Sequence, residues 1–184
     1  MNPAICTLIL LCSCGASVND PPAPPPCDQL CQDNVAGRAL RQVVKLGYNL
    51  TLQAKPVGVQ NAIAPCPQGG FIHIFGTGTS DALQGATLVD LTYDFAGCVY
   101  FQTDPEAAQN YKLTVTGTVT EKGTLAAQPT SLTAIYFDSA ALTIDGTVYA
   151  PPLPYRVEAC KMAFVQNGSR MDGLLCGRDV NVSF

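Results

Sequence analysis

The stretch Tyr111-Lys-Leu-Thr-Val-Thr-Gly-Thr-Val-Thr120 alternates strictly between apolar and polar side chains. Tyr111, Leu113, Val115 and Val119 fall on one side, and Lys112, Thr114, Thr116, Thr118 and Thr120 on the other. Only an extended chain sorts side chains this way, because successive Cβ atoms point to opposite faces. One apolar and one wet face is the pattern of an antiparallel sheet. Ala86 to Phe95 repeats it, with Val89, Leu91, Tyr93 and Phe95 opposed to Asp90, Thr92 and Asp94. A sheet with one apolar face needs a second layer to cover it. The candidate cover is a helix from Asp28 to about Tyr48, where Ala36, Ala39, Leu40, Val43 and Val44 recur at helical spacing. Arg38, Arg41 and Lys45 share another face of that helix, which reads either as a solvated surface or as a contact for anionic lipid heads. Gly37 weakens the helix by about 1 kcal/mol relative to Ala.

Everything after Pro65 reads as strand, and no second helix pattern follows one, which argues against a parallel βαβ architecture. Asp145-Gly146 and Asn167-Gly168 read as two-residue hairpin turns, and the glycine-rich stretch Gly76 to Gly85 as a hairpin connection. The expected class is therefore mainly β (α+β): one N-terminal helix packed on a curved antiparallel sheet, half-barrel or sandwich, stapled by disulfides.

The cysteines divide by position. Cys6, Cys12 and Cys14 lie in or beside the apolar run that begins at Ile5, whereas Cys27, Cys31, Cys66, Cys98, Cys160 and Cys176 are spread through the body. The run is too short to span a bilayer but suits an export signal. Leu11-Cys12-Ser13-Cys14 resembles a bacterial lipobox, in which a Leu stands three residues before the modified Cys and a small residue just before it. The rest of the chain is similar to uncharacterised exported β-rich bacterial lipoproteins. The resemblance implies that residues 1–13 are a signal peptide, that Cys14 carries a diacylglyceryl anchor, and that the protein is exported and lipid-anchored to the cell envelope at the outer membrane. Residues 14–26 form a tether whose five prolines, Pro21, Pro22, Pro24, Pro25 and Pro26, favour extended polyproline backbone. Residues 27–184 form a single domain.

The six remaining cysteines, an even number in an exported chain, suggest three disulfides. A turn at Asn167-Gly168 brings Cys160 and Cys176 nearly opposite each other, and one bulge aligns them. The switch of phase from Tyr155, Val157 and Ala159 to Cys160, Met162 and Phe164 suggests that bulge. Cys160–Cys176 is thus expected, with Cys66–Cys98 closing the first pair of strands and Cys27–Cys31 one helical turn apart. A zinc site calls for tight Cys pairs, usually with His, and the single His is His73, so no metal or other cofactor is expected.

A net charge of −4 argues against nucleic acid as a partner. His73, in the strand-like run Phe71-Ile-His-Ile-Phe75, reads as a packed or rim histidine rather than a catalytic base. No G-x-S-x-G elbow occurs. Asp90 and Asp94 share a strand face and read first as solvated acids; as a pair they are the candidates for cation binding or acid–base work. The threonine row Thr114, Thr116, Thr118 and Thr120 could bind a glycan or another ordered surface. No catalytic set emerges. The expected role is non-enzymatic, binding or structural, with the membrane as partner through the lipid and an envelope protein or glycan as a further candidate. Two alternatives remain open: a carrier-like half-barrel for an apolar ligand, which predicts a large apolar concavity, and a carboxylate-dependent hydrolase, which predicts two facing acids.

Overall fold

The computed structural model describes residues 23–52, 57–81, 86–126 and 132–184. The expected signal (residues 1–13), Cys14 and most of the expected tether (residues 14–26) lie outside these residues. One helix, α1 (Gln29–Thr51), is followed by eight strands: β1 (Gly58–Pro65), β2 (Phe71–Asp81), β3 (Ala86–Gln102), β4 (Tyr111–Ala126), β5 (Ala134–Val148), β6 (Leu153–Asn167), β7 (Arg170–Leu175) and β8 (Arg178–Ser183). The strands make one antiparallel sheet in sequence order, open and curled. The class expected from the alternation, mainly β with one helix on an antiparallel sheet, is the class observed.

Asp28 caps α1, its carboxylate accepting from the Cys31 amide at 2.9 Å. The apolar stripe Val35, Ala36, Ala39, Leu40, Val43 and Val44 is buried, as its spacing requires. It packs into the concave face with Ile72, Ile74, Leu91, Tyr93, Leu113, Ile135, Met162 and Met171. Gly37 has a role that helix propensity hides: a Cβ there would stand 2.5 Å from a methyl of Val180, so its absence lets α1 close on β8. Asp33 fixes the same end of the helix. It is buried and accepts from Arg178 Nε at 2.7 Å, Arg178 Nη2 at 2.8 Å and the Tyr155 hydroxyl at 2.7 Å. One carboxylate thus ties α1 to β6 and β8, the bidentate geometry that arginine favours.

The curl has a local cause. The ladder slips between Phe95 and Cys98 in β3, between Gly117 and Thr120 in β4, and between Ser139 and Leu142 in β5. Phe95 pairs with Gly117, Gly117 with Leu142 and Leu142 with Cys160, so these irregularities stand side by side. Bulges bend strands and increase twist. Aligned across four strands, they crease the long sheet over the helix.

Several local expectations change. Asp145-Gly146 is not a turn; it lies inside β5, paired with β4 and β6. The reversal comes at Tyr149–Pro152, where two prolines cannot donate to a ladder. Gly146 is there because a Cβ would stand 2.1 Å from the Lys112 carbonyl oxygen. Gly76 and Gly78 belong to β2, opposite Leu91 and Val89, rather than to a connection. The last hairpin turns on Gly168-Ser169, with Asn167 paired to Arg170. Gly168 takes φ +59°, which suits the first central residue of a type II′ turn.

The structure bridges Cys27–Cys31, Cys66–Cys98 and Cys160–Cys176, with Cα separations of 5.2, 5.4 and 4.9 Å. Two of them form by a different route from the one the sequence spacing suggests. Cys176 does not lie on a strand opposite Cys160; it stands in the β7–β8 turn, and the bulge at Ala159, φ +46°, brings Cys160 to it. Cys66 follows a strand, β1, that the sequence reading did not include.

Candidate functional site

The candidate sites read from the sequence lie on the outer face of the sheet, where Asp94 and the threonine row are brought into contact. Asp90 is exposed and pairs with Lys122 at 3.2 Å. Asp94 is exposed and accepts from the Thr118 hydroxyl at 3.3 Å. The threonine row follows the outer face of β4, where Thr120 also donates to the Asp138 carbonyl oxygen at 3.4 Å. His73 lies half-buried on the outer side of β2, its Nε2 2.7 Å from Asn61 Oδ1 and its ring 4.9 Å from that of Phe75. Among the described residues no cluster of three or more metal-ligating side chains forms.

The inner face carries what the sequence reading missed. A cavity of about 510 Å³ opens between the C-terminal half of α1 and the ends of β3 to β6. That volume lies within the range typical of small-molecule sites. The concave face is otherwise filled by the helix, so the wide acyl-sheltering trough expected of a half-barrel carrier is replaced by this smaller space at one end. Val44, Leu125, Ile135 and Phe137 give it apolar walls. Arg41, Tyr48, Glu121 and Gln166 give it polar ones.

Each polar group is placed by the pattern around it. Glu121 is the next inward position of β4 after Val119, so the alternation that buries leucine and valine buries a carboxyl here. It is 4 % exposed. The Tyr93 hydroxyl, from the inward face of β3, donates to Glu121 Oε2. Oε1 has no protein partner among the described residues. Burial pushes the Glu121 carboxyl up to about 7, against the opposing effects of the Tyr93 hydrogen bond and the Arg41 charge. Burial likewise raises the Tyr93 phenol well above its ordinary value, and Glu121 adds to that rise.

Arg41 enters from the helix. The row Arg38, Arg41 and Lys45 is neither a uniformly solvated face nor a lipid-facing one. Arg38 donates to the Ala108 carbonyl oxygen at 3.1 Å, and Arg41 Nε donates to Gln166 Oε1 at 3.0 Å; Lys45 alone of the three is exposed. The Arg41 guanidinium stands 5.1 Å from the centre of the Phe184 ring. Gln166 Nε2 is committed to the Gly168 carbonyl oxygen at 2.8 Å. Among the described residues, no carboxylate lies within ion-pair distance of Arg41, and its terminal nitrogens have no hydrogen-bond partner. Glu121 and Arg41 therefore face one space with bonding capacity left over. Among the described lining residues Glu121 has the sole side-chain carboxyl, so two facing acidic side chains of the kind a hydrolase would require are not brought together there.

Comparison with protein-family models, curated proteins and solved structures finds no match for the chain.

Proposed function

We propose that this protein is a lipid-anchored, non-enzymatic binding domain of the bacterial cell envelope, which holds a small amphipathic molecule in the cavity beneath α1. The cavity carries the reading: apolar walls, and in Arg41 and Glu121 two groups whose remaining bonds find no partner among the described residues. Bonding capacity that faces a recess with apolar walls is what a ligand's polar end would meet. The lipobox-like Leu11-Cys12-Ser13-Cys14 supports anchoring through Cys14. Three bridged cysteine pairs suit an oxidising compartment outside the cytosol.

Mass spectrometry of the protein extracted from its own membrane tests both halves. The denatured chain is expected to begin at Cys14, to carry a diacylglyceryl group, and to gain the mass of six hydrogens on reduction. Under native conditions a small molecule is expected to travel with the folded domain and to be lost when Leu125→Trp fills the cavity. A chain that still begins at Met1 without lipid would overturn the anchoring. Failure of native spectra and of an amphiphile panel to show any cavity-dependent binding would overturn the binding role.

A further inference from the structure

Arg41 and Glu121 are not equivalent, and their difference selects a ligand. Arg41 keeps its charge at every physiological pH. A cation entering this space is therefore always repelled by it. Glu121 is different, because burial moves its carboxyl toward neutrality, where it can change charge. When ionised it repels an anion; when protonated it becomes a hydrogen-bond donor toward one. Protonated Glu121, Arg41 and the Tyr48 hydroxyl together form a donor-rich end to an apolar pocket, and that end fits a carboxylate.

We propose that the cavity takes an amphipathic monocarboxylate, its carboxylate bound between the Arg41 guanidinium and the Glu121 carboxyl, with one proton taken up and shared by the two carboxyl groups. The inference rests on the cavity being a binding site and adds the chemistry of its occupant. Two carboxyls in contact cannot both be ionised cheaply, so a bound carboxylate holds the proton on the pair. The apolar body then lies along Val44, Leu125, Ile135 and Phe137. The groups facing Glu121 support this from each element: Arg41, Lys45 and Tyr48 on α1, and Tyr93 on β3, while Ile135 and Phe137 on β5 and Gln166 on β6 do not titrate. Among the described lining side chains no further carboxyl is present to take the proton instead. The carboxyl's position near 7 when the site is empty puts the switch within the physiological range.

Binding and release are then proton-coupled. A ligand that stays ionised throughout is captured in mildly acidic surroundings and released as the pH rises. Decanoate is a suitable probe, titrated calorimetrically into the folded domain at pH 6.0 and pH 8.5 in buffers of different ionisation enthalpy. Affinity is expected to fall roughly ten- to thirty-fold between the two, with uptake of close to one proton per decanoate at the higher pH. In Glu121→Gln the side chain stays neutral and keeps a donor, so decanoate binds at pH 8.5 more tightly than to the parent, and the pH dependence disappears. Arg41→Met weakens decanoate at both pH values. Decylammonium does not bind.

Equal decanoate affinity at both pH values, a pH dependence that survives Glu121→Gln, or tighter binding of decylammonium than of decanoate would each overturn the carboxylate assignment. Decanol separates this failure from a deeper one. Decanol binding without decanoate binding leaves the cavity a ligand site and removes the proposed head group. Binding of neither removes this inference and, with empty native spectra, the binding role as well.

Discussion

At the scale of single residues, the informative positions are those where a polar side chain occupies an apolar slot. Glu121 is the principal one. The alternation from Tyr111 to Thr120 continues one step further, and that step places a carboxyl in the core. The signal was present in the pattern but not in the residue type, because an acid flanked by Thr120 and Lys122 looks like surface. Asp33 was equally hidden, since its partners Tyr155 and Arg178 are remote in sequence. A pH consequence follows for Glu121. Its carboxyl lies near 7 in the folded state against 4.5 as an ordinary value, so between these the native state holds more protons than the unfolded chain. Stability therefore falls as pH rises from about 4.5 to about 7 and levels off above, by roughly 3 kcal/mol. Glu121→Gln removes that loss: denaturant unfolding at pH 8 is expected to show the variant more stable by up to about 3 kcal/mol, with little difference at pH 4.5.

At the scale of elements, strong periodicity was legible and edges were not. α1, β3 and β4 could be read because their buried faces are continuous. β1 could not: it is an edge strand whose Val59 and Ile63 face outward, while small Ala62 and Ala64 face in. The turn signals failed where glycine serves another end. Gly146 looks like the second half of an Asp-Gly turn but is required by the close approach of the Lys112 carbonyl. The crease was invisible for a related reason, since it depends on the alignment of bulges in strands far apart in sequence. Gly117 sits within it at φ +117°, and a Cβ there would stand 2.6 Å from the Ala141 carbonyl oxygen. Gly117→Val combines an unfavourable backbone conformation with that clash and is expected to destabilise by about 2–4 kcal/mol, read as a lower denaturation midpoint. An unchanged midpoint would show that the crease tolerates a side chain.

At the scale of the whole molecule, the meander sends its turns alternately to opposite ends of the sheet. The connections β1–β2, β3–β4 and β5–β6 lie at one end, with the N-terminus of α1. The cavity is bordered by Thr87, Ala126, Thr133 and Gly168, which lie at the other. The bridges follow the same division: Cys27–Cys31 and Cys66–Cys98 sit toward the first end, Cys160–Cys176 about midway, and none of these six cysteines borders the cavity. Stability and binding should therefore separate. Cys160→Ser opens a link of sequence separation 16 and is expected to cost about 3 kcal/mol, a fall of about 6–12 °C in Tm. Ligand affinity, measured by calorimetry where both proteins remain folded, should be unchanged. A parallel loss of affinity would mean that the two ends are mechanically coupled.

The Tyr149 hydroxyl donates to the Pro25 carbonyl oxygen, holding the last prolines against the β5–β6 reversal. If Cys14 carries the proposed lipid, the domain is suspended from its amino end and gripped at its base. It would then stand with the β5–β6 reversal nearest the bilayer and the mouth of its cavity turned outward, toward molecules arriving from the aqueous side rather than those dissolved in the leaflet beneath it.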